Sequence, residues 1–323
     1  MIKFTAIMPV YNSENNIDRS IGSILKQTYC NWELIIVDDG STDRSYDICK
    51  KYADIDKRIK VYTKKNEGPG KARNYGISKS TGDYISFIDS DDFFDIDYFR
   101  FLEEYIRKNN LDLVYFNVVM EDNNGKIIKV NNPKKYEKLN KDDLIKSQIM
   151  GIISWAAWFK VAKADIIKKY KFSDLSVGEE AVFSFNVLCN SNKIGFIDKN
   201  LYHYVYNEEG QHKKGGVDPW RNVAIELKKE LNKQSKFQQY EYAINGLAFR
   251  GLSIAIKRVC CDNKYKIAKK EIKQYINDYS KEFDIYKVEK NLLDKISKII
   301  MTFIQLKLYF AIYIATRLKY KNK

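Results

Sequence analysis

Three carboxylates follow a strand-like stretch of the chain within four residues. From Tyr84 to Ile88 the chain is apolar or β-prone, as expected for a strand inside a parallel sheet. Asp89, Asp91 and Asp92 come directly after it, at the carboxyl end where open α/β sheets bind ligands. Clustered like charges repel unless a cation holds them, and hard divalent cations prefer oxygen ligands. The pattern predicts either a metal site suited to a diphosphate or a solvated acidic turn that begins a helix.

The elements that must position these carboxylates alternate along the first hundred residues. Apolar runs predict strands, and apolar residues at helical spacing predict helices between them. The predicted strands cover 4–10, 32–37, 59–63 and 84–88, with a flexible loop at 66–71 and a short helix at 72–80. This alternation predicts a parallel, doubly wound sheet with right-handed crossovers. Polar clusters close successive strands at one edge, which is typical of nucleotide binding.

Composition and missing motifs exclude several classes of protein. The 323 residues are 45% hydrophobic, as in globular proteins. Five cysteines without a Cys-x-x-Cys pair indicate neither a disulfide framework nor a zinc site, and they favour a reducing cytosol. The first apolar run is too short for a signal peptide. The sequence has no Gly-x-Gly-x-x-Gly after its first strand and no P-loop, which disfavours dinucleotide and P-loop chemistry.

The rest of the chain predicts a continuation of the sheet and then a helical region. A tryptophan-rich segment, 154–160, precedes a helix, and Gly178-Glu179-Glu180 opens an apolar helix over 181–189. Strands are predicted within 194–206, and the pattern is helical from about residue 218. We therefore predict one domain over 1–215 and a helical C-terminal region over 216–323.

Four motifs occur in order at characteristic spacing. They are Pro9-Val10-Tyr11-Asn12, Val37-Asp38-Asp39-Gly40-Ser41-Thr42-Asp43, Asn66-Glu67-Gly68 with Ala72-Arg73-Asn74, and Asp89-Ser90-Asp91-Asp92. Together they strongly resemble glycosyltransferase family 2, closely over residues 4–100 and more loosely over 150–210. The resemblance implies an α/β fold of the GT-A type, Rossmann-like with a mostly parallel sheet. It also implies inverting chemistry on nucleotide-diphosphate sugars, with 1–100 binding the donor and 101–215 the acceptor.

The resemblance assigns the nucleotide to residues near the first strands. Pro9 and Tyr11 would hold the base, with Tyr11 offering its ring face. Asp39 would accept a hydrogen bond from the base, for which uracil N3–H is suitable. Arg73 would lie near the diphosphate or the base. Asp38 would either share these roles or tie down the loop.

The resemblance also implies Mn²⁺ or Mg²⁺ as cofactor. Asp91 would ligate the ion and bridge it to both phosphates. Asp89 would contact the ribose or the water shell of the metal. His212 would complete the metal shell, or it is an ordinary loop histidine.

The position expected for the general base carries a residue that is unusual for it. An inverting transfer needs a carboxylate that deprotonates the acceptor hydroxyl. In the family this is the Asp of a Glu-Asp pair, and Glu180 takes that position here. The extra methylene moves the carboxylate by about 1.5 Å, and misplacement on that scale costs on the order of 100-fold. Either the site is shaped for Glu180, Glu179 serves instead, or the chain is a weakly active or non-catalytic member. The alternative is that both glutamates only stabilise the helix, as negative charges at its positive N-terminal end.

The net charge of +14 is concentrated at the C-terminus, where residues 264–323 contain 15 Lys/Arg and 6 Asp/Glu. Within it, 299–316 is strongly apolar but interrupted by Gln305 and Lys307, and it falls short of the ~20 residues of a spanning helix. Apolar surface between cations predicts a helix lying on an anionic membrane. The alternatives are a helix docked on the catalytic domain or a homodimer contact. A nucleic-acid-binding function is disfavoured because no aromatic and basic recognition module is present.

The predicted function is therefore that of a hexosyl- or N-acetylhexosaminyl-transferase using a nucleotide-diphosphate sugar such as a UDP-sugar. The acceptor would be a hydroxyl of a glycan, expected to be a lipid-linked oligosaccharide in capsule, exopolysaccharide or lipopolysaccharide synthesis. The expected location is the cytoplasmic face of the cell membrane, with peripheral attachment.

Overall fold

A computed structural model describes residues 1–175, 177–206 and 218–320. The chain divides into two compact units. The first comprises the described residues of Met1–Lys141 and Ser154–Gly210, and the second those of Asp142–Ile153 and Gln211–Lys323. The predicted boundary after residue 215 lies outside the described residues and stays a prediction.

One mixed sheet forms the core of the first unit. Its described strands are β1 Phe4–Val10, β2 Trp32–Asp38, β3 Ile59–Thr63, β4 Tyr84–Phe87, β5 Phe93–Phe94, β6 Leu113–Glu121, β7 Ile127–Asn131, β8 Lys160–Lys163 and β9 Ile194–Val205. Their order is β3-β2-β1-β4-β8-β6-β9-β5, with β7 beside β6. β1 pairs in parallel with β2 and β4, and β2 pairs in parallel with β3. The predicted parallel half of the sheet is therefore confirmed.

The other half of the sheet mixes directions and differs from the prediction. The sequence predicts a helix directly after the tryptophan-rich segment, but Lys160–Lys163 forms β8, and only the four-residue Ala164–Ile167 helix follows. β8 lies antiparallel between β4 and β6, while β6 is parallel to β9. A four-residue strand with lysine at both ends has too little pattern to be recognised. Hydrogen bonds from both neighbours stabilise it instead.

Helices cover the sheet of the first unit, and their apolar faces pack on it. In this unit the described helices are α1 Ile17–Leu25, α2 Ser45–Ile55, α3 Pro69–Lys79, α4 Tyr98–Asn109, α6 Ala164–Ile167 and α7 Glu180–Cys189. In α1, Ile17, Ile21 and Ile24 are fully buried, at the helical spacing that the sequence predicts.

The start of α3 corrects the predicted loop at 66–71. The helix begins at Pro69, three residues before the predicted start, because proline suits the first helical position, where its missing N–H is not needed. Gly68 precedes it with φ 93°, a backbone conformation that favours glycine. Gly70 lies in the first turn, and a Cβ there would come within 3.2 Å of Glu179 Cγ. The first turn of α3 therefore lies directly against the segment that carries Glu179.

The second unit is helical, which confirms the predicted C-terminal region. Its described helices are α5 Lys141–Ile149, α8 Pro219–Lys233, α9 Phe237–Asp262, α10 Tyr265–Ser280, α11 Lys295–Gln305 and α12 Tyr309–Tyr320. The 26-residue α9 is buried along most of its length. The predicted single helix over 299–316 is wrong: α11 and α12 are separate, and Lys307 between them has φ 56°. Within the described chain, no helix combines the length and the apolarity needed to cross a bilayer.

Candidate active site

The carboxyl ends of β1, β2 and β4 bring three of the sequence motifs to one edge. Asp39 N–H donates to Val10 O at 2.8 Å, which joins the ends of β2 and β1. The hydroxyls of Ser13 and Ser90 lie 2.6 Å apart and join the loops after β1 and β4. These contacts confirm that the polar clusters that close successive strands share one edge.

Tyr11 stands just beyond β1 with 46% of its surface exposed, whereas Pro9 is buried in the strand. The next residue, Asn12, adopts φ 49° and accepts a hydrogen bond from Thr42 N–H at 2.8 Å through its side chain. Asn12 N–H donates to Ser41 Oγ at 3.1 Å. Both bonds fix the turn, so the Tyr11 ring is presented from an ordered loop.

Asp39 is buried at the end of β2 and holds the loop that leads into α3. Its carboxylate accepts hydrogen bonds from Lys64 Nζ at 2.9 Å, from Gly68 N–H at 2.7 Å and from Glu67 N–H at 3.1 Å. Glu67 N–H also lies 3.3 Å from Oδ2, so each carboxylate oxygen already accepts two hydrogen bonds from the loop. The contact of Asp39 with a base stays a prediction.

Asp38 serves its own loop, which is one of the two roles that the sequence left open. Its Oδ2 accepts from Thr63 Oγ1 at 3.2 Å and from Ser41 N–H at 3.3 Å. The carboxylate is buried, with 2% exposure.

The three carboxylates after β4 point into different surroundings. Asp92 is fully buried, and its carboxylate accepts from Tyr202 OH at 2.6 Å and from Val205 N–H at 2.9 Å. Burial, Asp91 and Asp89 raise the pKa of Asp92 well above its usual range. Tyr202 OH also accepts from Asp89 N–H at 3.2 Å, so Asp92 orients the Asp89 backbone through Tyr202. The Asp89 side chain is partly exposed and Asp91 is exposed.

Arg73 in α3 connects the strand-end motif to the glutamate pair. Its guanidinium is 6% exposed and donates to Asp89 Oδ1 at 2.9 Å and to Glu179 Oε1 at 3.1 Å. Glu180 Oε1 lies 3.7 Å from the same guanidinium. Burial lowers the pKa of Arg73, but the three carboxylates outweigh this and raise it above its ordinary value. The guanidinium is therefore a permanent cation. Its contact with a diphosphate stays a prediction.

Glu180 begins α7 and is held on one side by the backbone. Its Oε1 accepts a hydrogen bond from Ala157 N–H at 2.7 Å. Burial raises the pKa of Glu180, Arg73 acts against this, and Glu179 and Asp89 raise it further, so the net shift is upward. A carboxylate with a raised pKa is a stronger proton acceptor than a solvated one, which suits a general base.

Asn74 positions the segment that leads to the glutamates, a role that sequence reasoning missed. Its side-chain amide donates to Phe172 O at 3.1 Å, and its Oδ1 accepts from Phe172 N–H at 2.9 Å. The Phe172 ring stacks on Phe183 of α7 with ring centroids 4.0 Å apart. Asn74 therefore acts as a two-point clamp on the chain before Glu179.

We expect Asn74→Ala to lower the free energy of unfolding by about 1–3 kcal/mol, because both backbone groups of Phe172 lose their partner. Urea titration measures this change. Asn74→Asp keeps the acceptor but places a charged carboxylate oxygen against Phe172 O, so it should destabilise the protein as well. Asn109→Ala, which removes one exposed side-chain bond to Tyr105 O, is the surface control. Equal stability of Asn74→Ala and this control would contradict the clamp.

Lys160 is a second residue that the sequence analysis did not select. It is buried, with 4% exposure, at the start of the unpredicted strand β8. Its Nζ donates to Ala156 O at 2.7 Å and to Trp155 O at 3.1 Å. The sequence does contain a sign of this burial, because Lys160 stands among apolar residues in Trp158-Phe159-Lys160-Val161-Ala162.

The oxygen ligands at this edge of the sheet suit a divalent cation whose coordination shell is completed by the substrate. Asp89 and Asp91 offer carboxylate oxygens, and Mg²⁺ is usually held by one or two carboxylates together with substrate phosphates. Among the described residues, no three His, Cys, Asp or Glu side chains are grouped to hold an ion. His212, the predicted third ligand, lies outside the described residues. The described residues thus supply two carboxylates, and phosphate oxygens of the substrate would complete the set of ligands.

Comparison with known proteins gives consistent results. Residues 5–166 match the family described as Glycosyl transferase family 2. Glycosyltransferase GlyA of Streptococcus pneumoniae is 31% identical over 71% of this chain and 34% of its own length. An uncharacterized glycosyltransferase of Haemophilus influenzae is 33% identical over 64% of this chain and 97% of its own length.

Among solved structures, Staphylococcus aureus TarS 1-349 in complex with UDP-GlcNAc superposes with a TM-score of 0.62. The match covers 88% of this chain and 90% of that one at 23% identity, so it supports the fold. The chain spans only about a third of the length of GlyA.

Proposed function

As this chain belongs to glycosyltransferase family 2, we propose that it transfers a sugar from a nucleotide-diphosphate donor to a glycan hydroxyl with inversion at the anomeric carbon. The observation that carries the proposal is the Arg73 cluster. One buried guanidinium joins Asp89, at the edge where parallel sheets bind ligands, to the glutamate pair that opens α7. Donor-side and base-side groups are thereby held in one ion-pair network.

The donor is a UDP-sugar in this proposal. Asp39, at the end of β2, accepts uracil N3–H, and the exposed Tyr11 ring stacks on the base beside Pro9. The complex of TarS with UDP-GlcNAc supports a hexose or N-acetylhexosamine as the transferred sugar. Arg73 contributes positive charge near the diphosphate.

The cofactor is Mn²⁺ or Mg²⁺, held by Asp91 and Asp89, with His212 as a further ligand. When bound, such an ion stabilises negative charge on the departing diphosphate. Asp89 is positioned for this by Arg73 on its carboxylate and by Tyr202 on its backbone.

The transfer is a single displacement in which Glu180 takes the proton of the acceptor hydroxyl. The acceptor oxygen forms a bond to the anomeric carbon, while the bond from that carbon to the diphosphate oxygen breaks and its electron pair leaves with the nucleoside diphosphate. The described contacts of Glu180 with Ala157 and Arg73 are made by Oε1, so we assign proton acceptance to Oε2. Glu179 pairs with Arg73 at shorter range, which favours a supporting role.

The acceptor in this proposal is a lipid-linked oligosaccharide of capsule, exopolysaccharide or lipopolysaccharide synthesis. The name of TarS, a poly(ribitol-phosphate) beta-N-acetylglucosaminyltransferase, supports a cell-surface polymer as the class of acceptor. The test of function is to incubate the purified protein with a panel of nucleotide sugars and Mn²⁺, measuring donor hydrolysis and transfer. Absence of turnover and of donor binding across the panel would refute the proposal.

We further propose that the second unit attaches the protein to the cytoplasmic membrane face through the α11–α12 elbow, defined as residues 306–310. At this elbow Leu306, Leu308 and Phe310 are 60%, 46% and 57% exposed. Lys307 lies between them, and Lys298 and Arg317 lie in the flanking helices. Exposed apolar side chains among cations suit the interface of an anionic bilayer.

We expect the full-length protein to float with anionic vesicles at low salt, and replacement of Leu306, Leu308 and Phe310 by serine to reduce flotation several-fold. The reason is loss of the apolar area that enters the interface. Serine at the similarly exposed Ile127 and Ile128 of β7 is the matched control. Equal flotation of both variants, or none for the parent protein, would exclude the elbow as a membrane contact. A parent that self-associates without vesicles would indicate a homodimer surface instead.

A further inference from the structure

The peptide group between Ala156 and Ala157 lies between a buried lysine and the proposed base. Its carbonyl, Ala156 O, accepts from Lys160 Nζ at 2.7 Å. Its amide, Ala157 N–H, donates to Glu180 Oε1 at 2.7 Å. The C=O and N–H of a trans peptide point in opposite directions, so the ammonium and the carboxylate lie on opposite sides of one planar group.

The same turn is fixed at a second carbonyl. Trp155 O accepts from Lys160 Nζ and from the hydroxyl of Ser184, which lies in α7 one turn after Glu180. The turn 155–157 is thus fastened to α7 by Ser184 and Glu180, and to β8 by Lys160. A displacement of this turn would move the N–H that holds Glu180.

We infer that Lys160 is a positioning residue for the proposed reaction, acting on Glu180 through the Ala156–Ala157 peptide. A cation on the carbonyl oxygen polarises the peptide, and hydrogen bonds in a chain strengthen one another. The polarised N–H then stabilises the ionised form of Glu180 and fixes its Oε1. This inference rests on the proposed function, because it assigns to Lys160 an effect on the proposed base.

The charged groups around Glu180 come from several elements. Arg73 of α3 favours the ionised carboxylate, whereas Glu179 and Asp89 disfavour it. Burial lowers the pKa of Lys160, Glu180 acts against this, and Arg73 lowers it further, so the net shift is downward. Burial thus disfavours the charged form of both side chains, whereas the attraction between the two charges favours it. Removing the lysine charge should therefore make Glu180 harder to ionise.

The test is the pH dependence of kcat for Lys160→Met at saturating donor and Mn²⁺. We expect its acid limb to move to higher pH by about one unit, since a nearby opposite charge is lost. Transfer near neutral pH should fall about 10-fold and recover at higher pH, while donor Kd measured by calorimetry stays within about twofold. Lys160→Gln retains amide donors without charge and should shift the limb in the same direction. Lys163→Met, on the same strand, is the control and should leave the limb unchanged.

Two outcomes would overturn the inference. A rate loss that is equal at every pH in both Lys160 variants would show a purely structural role, with the proposed function intact. If thermal unfolding shows that Lys160→Met is not folded, Lys160→Gln is used for the same test. Glu180→Gln is measured in parallel, and if it keeps full activity, both the base assignment and the role of Lys160 are refuted.

Discussion

Glu180→Gln should lower transfer by about 100-fold or more while donor binding remains within about twofold of the parent protein. Glutamine keeps the size of the side chain and its Oε1 acceptor for Ala157 N–H but cannot take a proton. The loss falls on the transition state alone, so kcat should drop without a rise in KM for the donor. Steady-state transfer assays with calorimetric donor titrations measure both quantities.

The pH dependence of the parent enzyme gives a second readout for Glu180. Its folded-state pKa is raised, so the base form is lost as the pH falls through a value above the ~4.3 of an ordinary glutamate. We expect kcat to decline on the acid side at that higher pH. Glu179→Gln is the matched control: if it is inactive and Glu180→Gln is near normal, the base is Glu179.

Asp91→Ala should lower transfer by about 1,000-fold and abolish Mn²⁺-dependent donor binding. The variant removes the exposed carboxylate of the proposed metal site, and metal stabilisation of a departing phosphate amounts to several kcal/mol. Because Asp91 is exposed, the free energy of unfolding should stay nearly unchanged. Donor titrations with and without Mn²⁺, together with transfer assays, measure the effect.

A surface carboxylate provides the comparison for Asp91. Asp54→Ala changes the net charge equally at an exposed position of α2 and should retain full activity. EDTA should reproduce the Asp91→Ala defect in the parent protein, and added Mn²⁺ or Mg²⁺ should reverse it. Full transfer in EDTA would refute the metal assignment at Asp89 and Asp91.

Most of the parallel half of the sheet was predictable because β1, β2 and β4 are buried on both faces and read as largely apolar or β-prone runs. β1 and β3 have the predicted bounds, and β2 extends the prediction by one residue. β8 was missed because its stability comes from two neighbouring strands that are distant in sequence. The break at Lys307 was also missed, since a single residue in the left-handed conformation leaves the apolar pattern of 299–316 intact.

At the site, the motifs identified the residues but not the contacts between them. Asp39, Arg73 and Asp89 were selected from the sequence, and the structure brings them to the same region of the first unit. The role of Asn74 could not be predicted, because its partners are backbone groups of Phe172 and every residue type has such groups. The burial of Asp92 could not be predicted either, because the spacing of residues in a turn does not reveal which of the three carboxylates binds Tyr202.

The Arg73 contacts also constrain the order in which the chain folds. Its partner Asp89 lies 16 residues along the chain, whereas Glu179 lies 106 residues along it. Closing so long a loop costs chain entropy before the ion pair can repay it, so this contact is expected to form late. In a nascent chain that ends before Glu179, Arg73 can pair with Asp89 alone, and the two glutamate contacts of the network are still missing. Although residues 4–100 carry the donor motifs, the donor edge cannot reach its final electrostatic state during synthesis until α7 has been made and docked.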